Sequence, residues 1–307
     1  MTRIGTFGQS DAVILDMMRT QQRMFETQEQ ISTGKRLPDY KYAPQDIGSL
    51  LDGKSAVARV DQYLNTGKRI MNQMETSNIH LESLNDIAAD LRDLVMTSLA
   101  NESSIAINDE LDNLFQSTVG ILNSKFDGKH LFSGSRIDQP TVNISTIADL
   151  VAAASAAVTF DNDNLKATAL VSETETIEYG VLGSDAAGTL MAAMKRIADF
   201  NAGGSGPFTT PLTAAQATFL TTEVSNLSQV IDDFSVTLAR NGLNMQRMDR
   251  LTEQHQSEKL FAEQYVSELE DVDLAEAITK LNRDQTSLEA TFQVLRKLSD
   301  TSLLDYI

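Results

Sequence analysis

From Asp273 to Ile307 the chain reads DLAEAITKLNRDQTSLEATFQVLRKLSDTSLLDYI. Leu274, Ile278, Leu281, Gln285, Leu288, Phe292, Leu295 and Ser299 succeed one another by alternating steps of four and three. That spacing keeps one narrow stripe turned toward a partner helix, the pattern of a coiled-coil seam. Leu303 and Leu304 extend the expected seam toward the carboxyl end. Two other segments repeat the pattern. Val224, Leu227, Ile231, Phe234, Leu238, Asn241, Met245 and Met248 step by three and four without a break, and near the amino end Ile14, Met17, Gln21, Met24, Gln28 and Ile31 do the same. Stripes at opposite chain ends predict segments that lie side by side.

A further helix is expected from about Ile47 to Leu99, with Val57, Val60, Leu64, Met71, Met74, Leu81, Leu84, Ile87, Leu91 and Leu94 along one side. Gly67 and Asn78 interrupt its stripe, and the three–three spacing at Leu81, Leu84 and Ile87 is a stammer that overwinds a supercoil. A shorter helix is expected from Asn108 to about Ser124. Between Arg136 and Gly204 the composition shifts to Thr, Val, Ala, Asn and Asp. There AAVTF (156–160), LKATALV (165–171) and ETIEYGVL (175–182) read as short strands, with DNDN as a turn. One amphipathic helix, AAGTLMAAMKRIADF (186–200), ends at NAGGSGP.

The expected fold is therefore mainly α: a long coiled-coil-like helical hairpin of paired terminal segments, carrying a small, mostly β, inserted α/β domain. Residues 1–40 with 265–307 form the expected terminal assembly domain, 41–135 with 205–264 a helical bundle, and 136–204 an outward-facing insert. The bundle core is expected at Val57, Val60, Leu64, Met71, Met74, Leu81, Val224, Leu227, Ile231, Phe234, Leu238 and Met245. The assembly seam is expected at Ile14, Met17, Met24, Ile31, Leu274, Ile278, Leu281, Leu288, Phe292, Leu295, Leu303 and Leu304. Gln21, Gln28, Gln285 and Asn241 place polar groups on the stripes, which lowers stability and can specify register. Such short, interrupted stripes make marginal isolated helices, so the terminal segments are expected to order fully on assembly.

Composition narrows the function. A formal net charge of −18 over 307 residues disfavours nucleic acid and anionic membrane surfaces as partners. The absence of cysteine excludes disulfides and thiolate metal sites. No apolar run of about 18 residues offers a membrane span, and the amino end lacks the apolar core of a secretory signal.

One motif argues for an enzyme. GSLLDGKS, Gly48–Ser55, fits the phosphate-loop pattern at every fixed position. A working phosphate loop follows a buried strand, whereas LPDYKYAPQDI precedes this one, and Leu50 and Leu51 suit a helix interior. His80, His130 and His255 lack ligand spacing. SELEDVDLAE lacks the alternating Asp/Asn and Gly of a calcium loop, and reads as a helix start with Asp273 as its cap. No enzyme activity, cofactor or metal is expected.

The segments RIGTF (Arg3–Phe7), MRTQQRMFETQEQISTGKRL (Met18–Leu37), FDGKHLFSGS (Phe126–Ser135) and the Asp273–Ile307 terminus together resemble flagellin-superfamily axial proteins of bacteria. The likeness is strongest to the family of hook–filament junction proteins, the FlgL-type hook-associated proteins. ISTGKRL is the most specific fragment. After it the family usually has a Ser-Asp-Asp-Pro type turn, where this chain has LPDYKYAPQD. The resemblance covers roughly residues 1–135 and 205–307. It implies a structural subunit of the flagellum, exported unfolded without a cleaved signal peptide, met first by an export chaperone and lying outside the cell. Its implied partners are copies of itself, hook-associated proteins on the hook side and flagellin on the filament side. Filament flagellin is the nearest alternative, and a cytoplasmic coiled-coil scaffold a remote one.

Overall fold

The computed structural model describes residues 3–36, 44–104 and 107–300. It is 74% helical. The element order is α1 (Arg3–Thr33), α2 (Pro44–Ala100), α3 (Ile107–Leu122), β1 (Lys125–Phe126), β2 (Lys129–His130), α4 (Ile147–Ala152), β3 (Thr168–Leu170), β4 (Thr176–Glu178), α5 (Gly183–Ala202), α6 (Ala214–Glu270) and α7 (Leu274–Asp300). The mainly helical class with a small inserted region is as the sequence predicts, and its β structure consists of two small antiparallel hairpins, of which β1–β2 precedes the strands read from the sequence. The chain divides into two compact units, residues 1–61 with 256–307 and residues 62–255.

In the first unit α1 packs on α7. Arg23 of α1 meets Asp284 of α7 at 3.4 Å, and Lys35 bridges antiparallel to Asp271, so the two helices run in opposite directions. The start of α2 pairs antiparallel with the end of α6: Lys259 reaches Asp61 at 2.7 Å, and Lys54 reaches Glu270 at 2.7 Å. Gly53 lies at their closest approach. A Cβ there would sit 2.9 Å from Val266 Cγ2 and 3.4 Å from Tyr265. Because the valine methyl is short and stiff, Gly53→Ala is expected to destabilise this unit by about 1–2 kcal/mol through overpacking. Denaturant unfolding of the variant checks it, and a midpoint equal to the parent's would contradict it.

The second unit holds the large core. Leu84, Leu91 and Val95 of α2, Leu111, Phe115 and Leu122 of α3, Leu190, Met194 and Ile197 of α5, and Leu220, Leu227 and Phe234 of α6 form one buried cluster. The stammer residues Leu81, Leu84 and Ile87 are all buried, the last two in this cluster. A second cluster joins Ile70 and Met74 to Met248 and Leu251, with Val171 and Ile177 from the β3–β4 hairpin laid over them. Asn241 is buried here and donates to the Met74 carbonyl at 3.1 Å, so this stripe position holds a satisfied polar group. Of the twelve expected core residues, Val60, Met74, Leu81, Leu227 and Phe234 are buried. Val57, Leu64, Met71, Val224, Ile231, Leu238 and Met245 are partly buried, and none is exposed.

LKATALV and ETIEYGVL supply β3 and β4, but AAVTF does not form a strand. Ala156–Thr159 is a 3-10 turn, and only Phe160 makes a bridge, to Val142. The two alanines favour a helical turn, and the turn buries Ala156 and Thr159 where a flat strand would expose one of each pair. The loop NAGGSGP is ordered by Gln216, whose amide nitrogen donates to the Ser205 and Pro207 carbonyls while its oxygen accepts from Thr209 and Thr213.

Candidate assembly surface

The expected seam is divided between two faces. On α7 the side turned toward α1 carries Ala277, Leu281, Asp284, Leu288, Thr291 and Leu295, again in steps of four and three. Ala277 and Asp284 are buried and the others half-buried. On α1 the matching side carries Ile14, Met17, Met24 and Ile31, all half-buried, with Thr20 and Thr27 buried between them. Leu274, Ile278 and Phe292, which the sequence puts on the same stripe, are 47–49% exposed in the single chain. Leu303 and Leu304 lie outside the described residues.

The polar positions also differ from expectation. Gln21, Gln28 and Gln285 are exposed. The polar groups between the helices are instead Thr20, Thr27 and Asp284. Arg23 joins them, donating to Thr20 Oγ1 at 3.0 Å and approaching Asp284 Oδ2 at 3.4 Å. Each threonine hydroxyl also donates back to its own helix, to the Asp16 and Arg23 carbonyls at 2.8 Å.

Both helices then carry a second apolar line that the described residues leave uncovered. It consists of Leu15, Met18 and Phe25 on α1, and of Leu274, Ile278 and Phe292 on α7; Val294 is exposed on the other flank of α7, about 200° around the helix from Phe292. Leu260, Phe261 and Tyr265 add exposed apolar surface on α6. Single exposed apolar residues are ordinary, but contiguous ones mark interaction surfaces.

The segment STGKR has a definite local geometry. Gly34 ends α1 with φ +71°, the left-handed conformation glycine adopts at helix ends, and its N–H donates to the Gln30 carbonyl at 2.8 Å. The chain then turns onto the α6–α7 connector. The Arg36 N–H donates to the Glu270 carbonyl at 2.7 Å, and the Val272 N–H to the Gly34 carbonyl at 3.0 Å. Asp273 starts α7 as its cap, accepting from the N–H groups of Ala275 and Glu276 at 2.9 and 3.1 Å.

GSLLDGKS lies wholly within α2. Leu50 is buried, Gly53 is the point of close helix packing, and Lys54 is paired with the nearly buried Glu270. A phosphate loop needs a turn whose N–H groups converge on phosphate, and a continuous helix engages them in its own hydrogen bonds. The motif is a helix-packing segment. Its packing partners are invisible in the sequence, because those of Gly53 and Lys54 lie more than 200 residues away.

His255 and His80 are placed as structural groups. His255 is buried, bonds the Val171 carbonyl at 2.7 Å and stacks on Tyr63. His80 lies edge-on to Phe132, and burial lowers its pKa from the usual imidazole value. In LFSGS, Gly134 has φ +70° and Ser135 bonds the Asp163 carboxylate, anchoring the DNDN loop. Among the described residues no group of His, Cys, Asp or Glu is arranged to hold a metal ion, and no helix is long and apolar enough to cross a membrane.

Comparison with known proteins agrees with this architecture. Residues 5–137 match the family model of the bacterial flagellin N-terminal helical region, and residues 221–307 that of the flagellin C-terminal helical region. The fold is similar to that of a Vibrio parahaemolyticus protein assigned as a flagellar hook-associated protein, with 13% identity and a TM-score of 0.55, covering 75% of this chain and 100% of that one. It is also similar to Bacillus cereus FlgL, with 11% identity and a TM-score of 0.54, covering 72% and 100%. No curated protein matches the chain by sequence. With both helical ends matched and its terminal helices paired, the chain belongs to the bacterial flagellin superfamily and is a structural, non-enzymatic component of the flagellum.

Proposed function

We propose that the chain is the junction subunit between hook and filament, and that it polymerises through its terminal helices. The observation that carries this reading is the second apolar line on α1 and α7. Leu15, Met18, Phe25, Leu274, Ile278 and Phe292 remain exposed in a chain whose net charge of −18 would otherwise keep copies apart. Burying large apolar side chains against neighbouring copies offsets that repulsion. Head-to-tail contacts of this kind propagate as an open helical array. The names of the two similar structures, one a hook-associated protein and the other FlgL, favour the junction over the filament itself, as does the FDGKHLFSGS segment.

On this reading the 1–40 and 265–307 segments are the assembly domain, residues 41–135 with 205–264 the surrounding bundle, and 136–204 the outward insert. The subunit leaves the cell through the flagellar export apparatus, after an export chaperone has held it unfolded. It contacts copies of itself, hook-associated proteins on one side and flagellin on the other.

Removing Ser302–Ile307 is expected to abolish polymerisation while residues 62–255 keep their circular dichroism and exchange protection. A truncated chain that still polymerises would contradict the role given to the terminus. Imaging of labelled chain on intact appendages separates junction from filament: one band at the hook boundary is expected, and label along the whole filament would mean flagellin.

A further inference from the structure

At the base of the α1–α7 pair three segments of the chain converge on one carboxylate. Glu270 closes α6 and is only 6% exposed. Lys35 Nζ, just past the end of α1, lies 2.5 Å from its Oε1, and Lys54 Nζ of α2 lies 2.7 Å from its Oε2. The same residue accepts the Arg36 N–H through its backbone carbonyl, and two residues on, Val272 donates to Gly34. The exit of α1 and the entry of α7 are thus hydrogen-bonded to each other around this group.

The pairing above this point is thin. Among the described residues of α7, Ala277 is the apolar position that is buried, and the middle of the seam is Thr20, Thr27 and Asp284. A lightly packed helix pair depends more than usual on what fixes its ends. A carboxylate removed from water with two ammonium partners contributes only while it is charged, since a neutral group there gains little from either lysine.

We propose that the Glu270 carboxylate is a latch: by binding Lys35 and Lys54 together it holds the exit of α1 to the entry of α7, and neutralising it releases the two terminal helices together. The charged groups that face it are Lys35 from the exit of α1 and Lys54 from α2; Arg36 meets it through its backbone N–H, and the neighbouring Asp271 is engaged by Ser267 of α6. Asp61, Lys259 and Glu263 form a separate group further along α2 and α6. The hydrogen bond from Lys35, then that from Lys54, holds the Glu270 carboxyl below its usual range. A depressed carboxylate stabilises the folded arrangement fully above its ordinary range and loses that contribution as the pH falls through its own lower value. The latch is therefore closed at neutral pH and opens in acid.

Amide exchange on the full chain tests it. At pH 7, Glu270→Gln is expected to speed exchange at Arg36, at Val272 and across both α1 and α7 by about tenfold or more, as loss of a charge-assisted hydrogen bond implies. Exchange in residues 62–255 is expected to stay at the parental rate. The charge-inverted triple variant Lys35→Glu, Lys54→Glu, Glu270→Lys is expected to slow the terminal helices again. Once intrinsic rates are allowed for, the parent is expected to lose terminal protection in acid through a step that Glu270→Gln lacks. Parental exchange in Glu270→Gln, faster exchange in one helix alone, or a triple variant no slower than Glu270→Gln would each overturn the latch. So would terminal helices that are already unprotected in the parent, or loosening of residues 62–255 along with them. Because the chain is measured as a free subunit, the outcome does not depend on where it assembles.

Discussion

Arg196→Ala is expected to destabilise residues 62–255 by about 3 kcal/mol, the low end for breaking a buried ion pair from one side. Glu223 of α6 is 2% exposed, and its two oxygens accept from Arg196 Nε and Nη2 of α5 at 2.9 Å each. The fork matches the carboxylate geometrically, so Arg196→Lys restores charge without restoring both bonds. Removing the arginine leaves a charge inside the helix pair with only Asn226 Nδ2, 3.0 Å away, to receive it. The half-exposed guanidinium keeps the cost at the low end, because water reaches the site once the side chain is gone. Urea unfolding followed by circular dichroism reads the change. Replacing both partners, Arg196→Met with Glu223→Leu, is expected to recover most of the loss, since no charge is then stranded. A single variant within about 0.5 kcal/mol of the parent would place the pair among ordinary surface salt bridges.

The long helices are legible in the sequence because three–four spacing sustained over many turns fits a helix with one buried side and fits neither a strand nor a loop. The predicted boundaries near Ile47, Leu99 and Asn108 fall within three residues of the ends of α2 and α3. Asp273 is legible as a cap because its partners are its own neighbours in the chain. Three kinds of feature are not. The close approach at Gly53 and the pairing of Glu270 with Lys35 and Lys54 join positions 200 or more residues apart, and nothing in local spacing encodes them. AAVTF reads as a strand and forms a turn, because β-branched residues over so short a run do not outweigh two alanines and the burial a turn allows. The third is the division of the terminal stripes. Apolar spacing identifies which residues avoid water without saying whose surface they avoid it against. On α7 the apolar position that is buried is the small Ala277, while Ile278 and Phe292 stay exposed. In a soluble monomer that arrangement would be a liability. In a subunit that buries them against other copies it is what hydrophobic patterning would favour.

Leu288→Asp follows from that division and is expected to prevent polymerisation while leaving a soluble monomer. Leu288 lies between Leu281 and Leu295 on the side of α7 turned toward α1, and one turn from Asp284. A new carboxylate there joins one that already relies on Arg23 at 3.4 Å. In the free subunit the site is only half-buried, so water still solvates the added charge and the residues 62–255 core is untouched. In a polymer whose terminal helices pack on all sides the same charge is desolvated without a partner, which costs about 3 kcal/mol or more. Each 1.4 kcal/mol is a factor of ten in an association constant, so the critical concentration for assembly is expected to rise by about 100-fold or more. Leu288→Ala removes the apolar contact without adding charge and is expected to shift it far less. Sedimentation of full-length chain across a concentration series gives the critical value, and circular dichroism of the supernatant shows whether the monomer stays helical. If Leu288→Asp polymerises at the parental concentration, α7 does not enter a dry interface and the terminal helices are not the assembly element. If the monomer also loses its helices, α1 and α7 are held by their own seam more than by their neighbours, and the latch at Glu270 has less to hold.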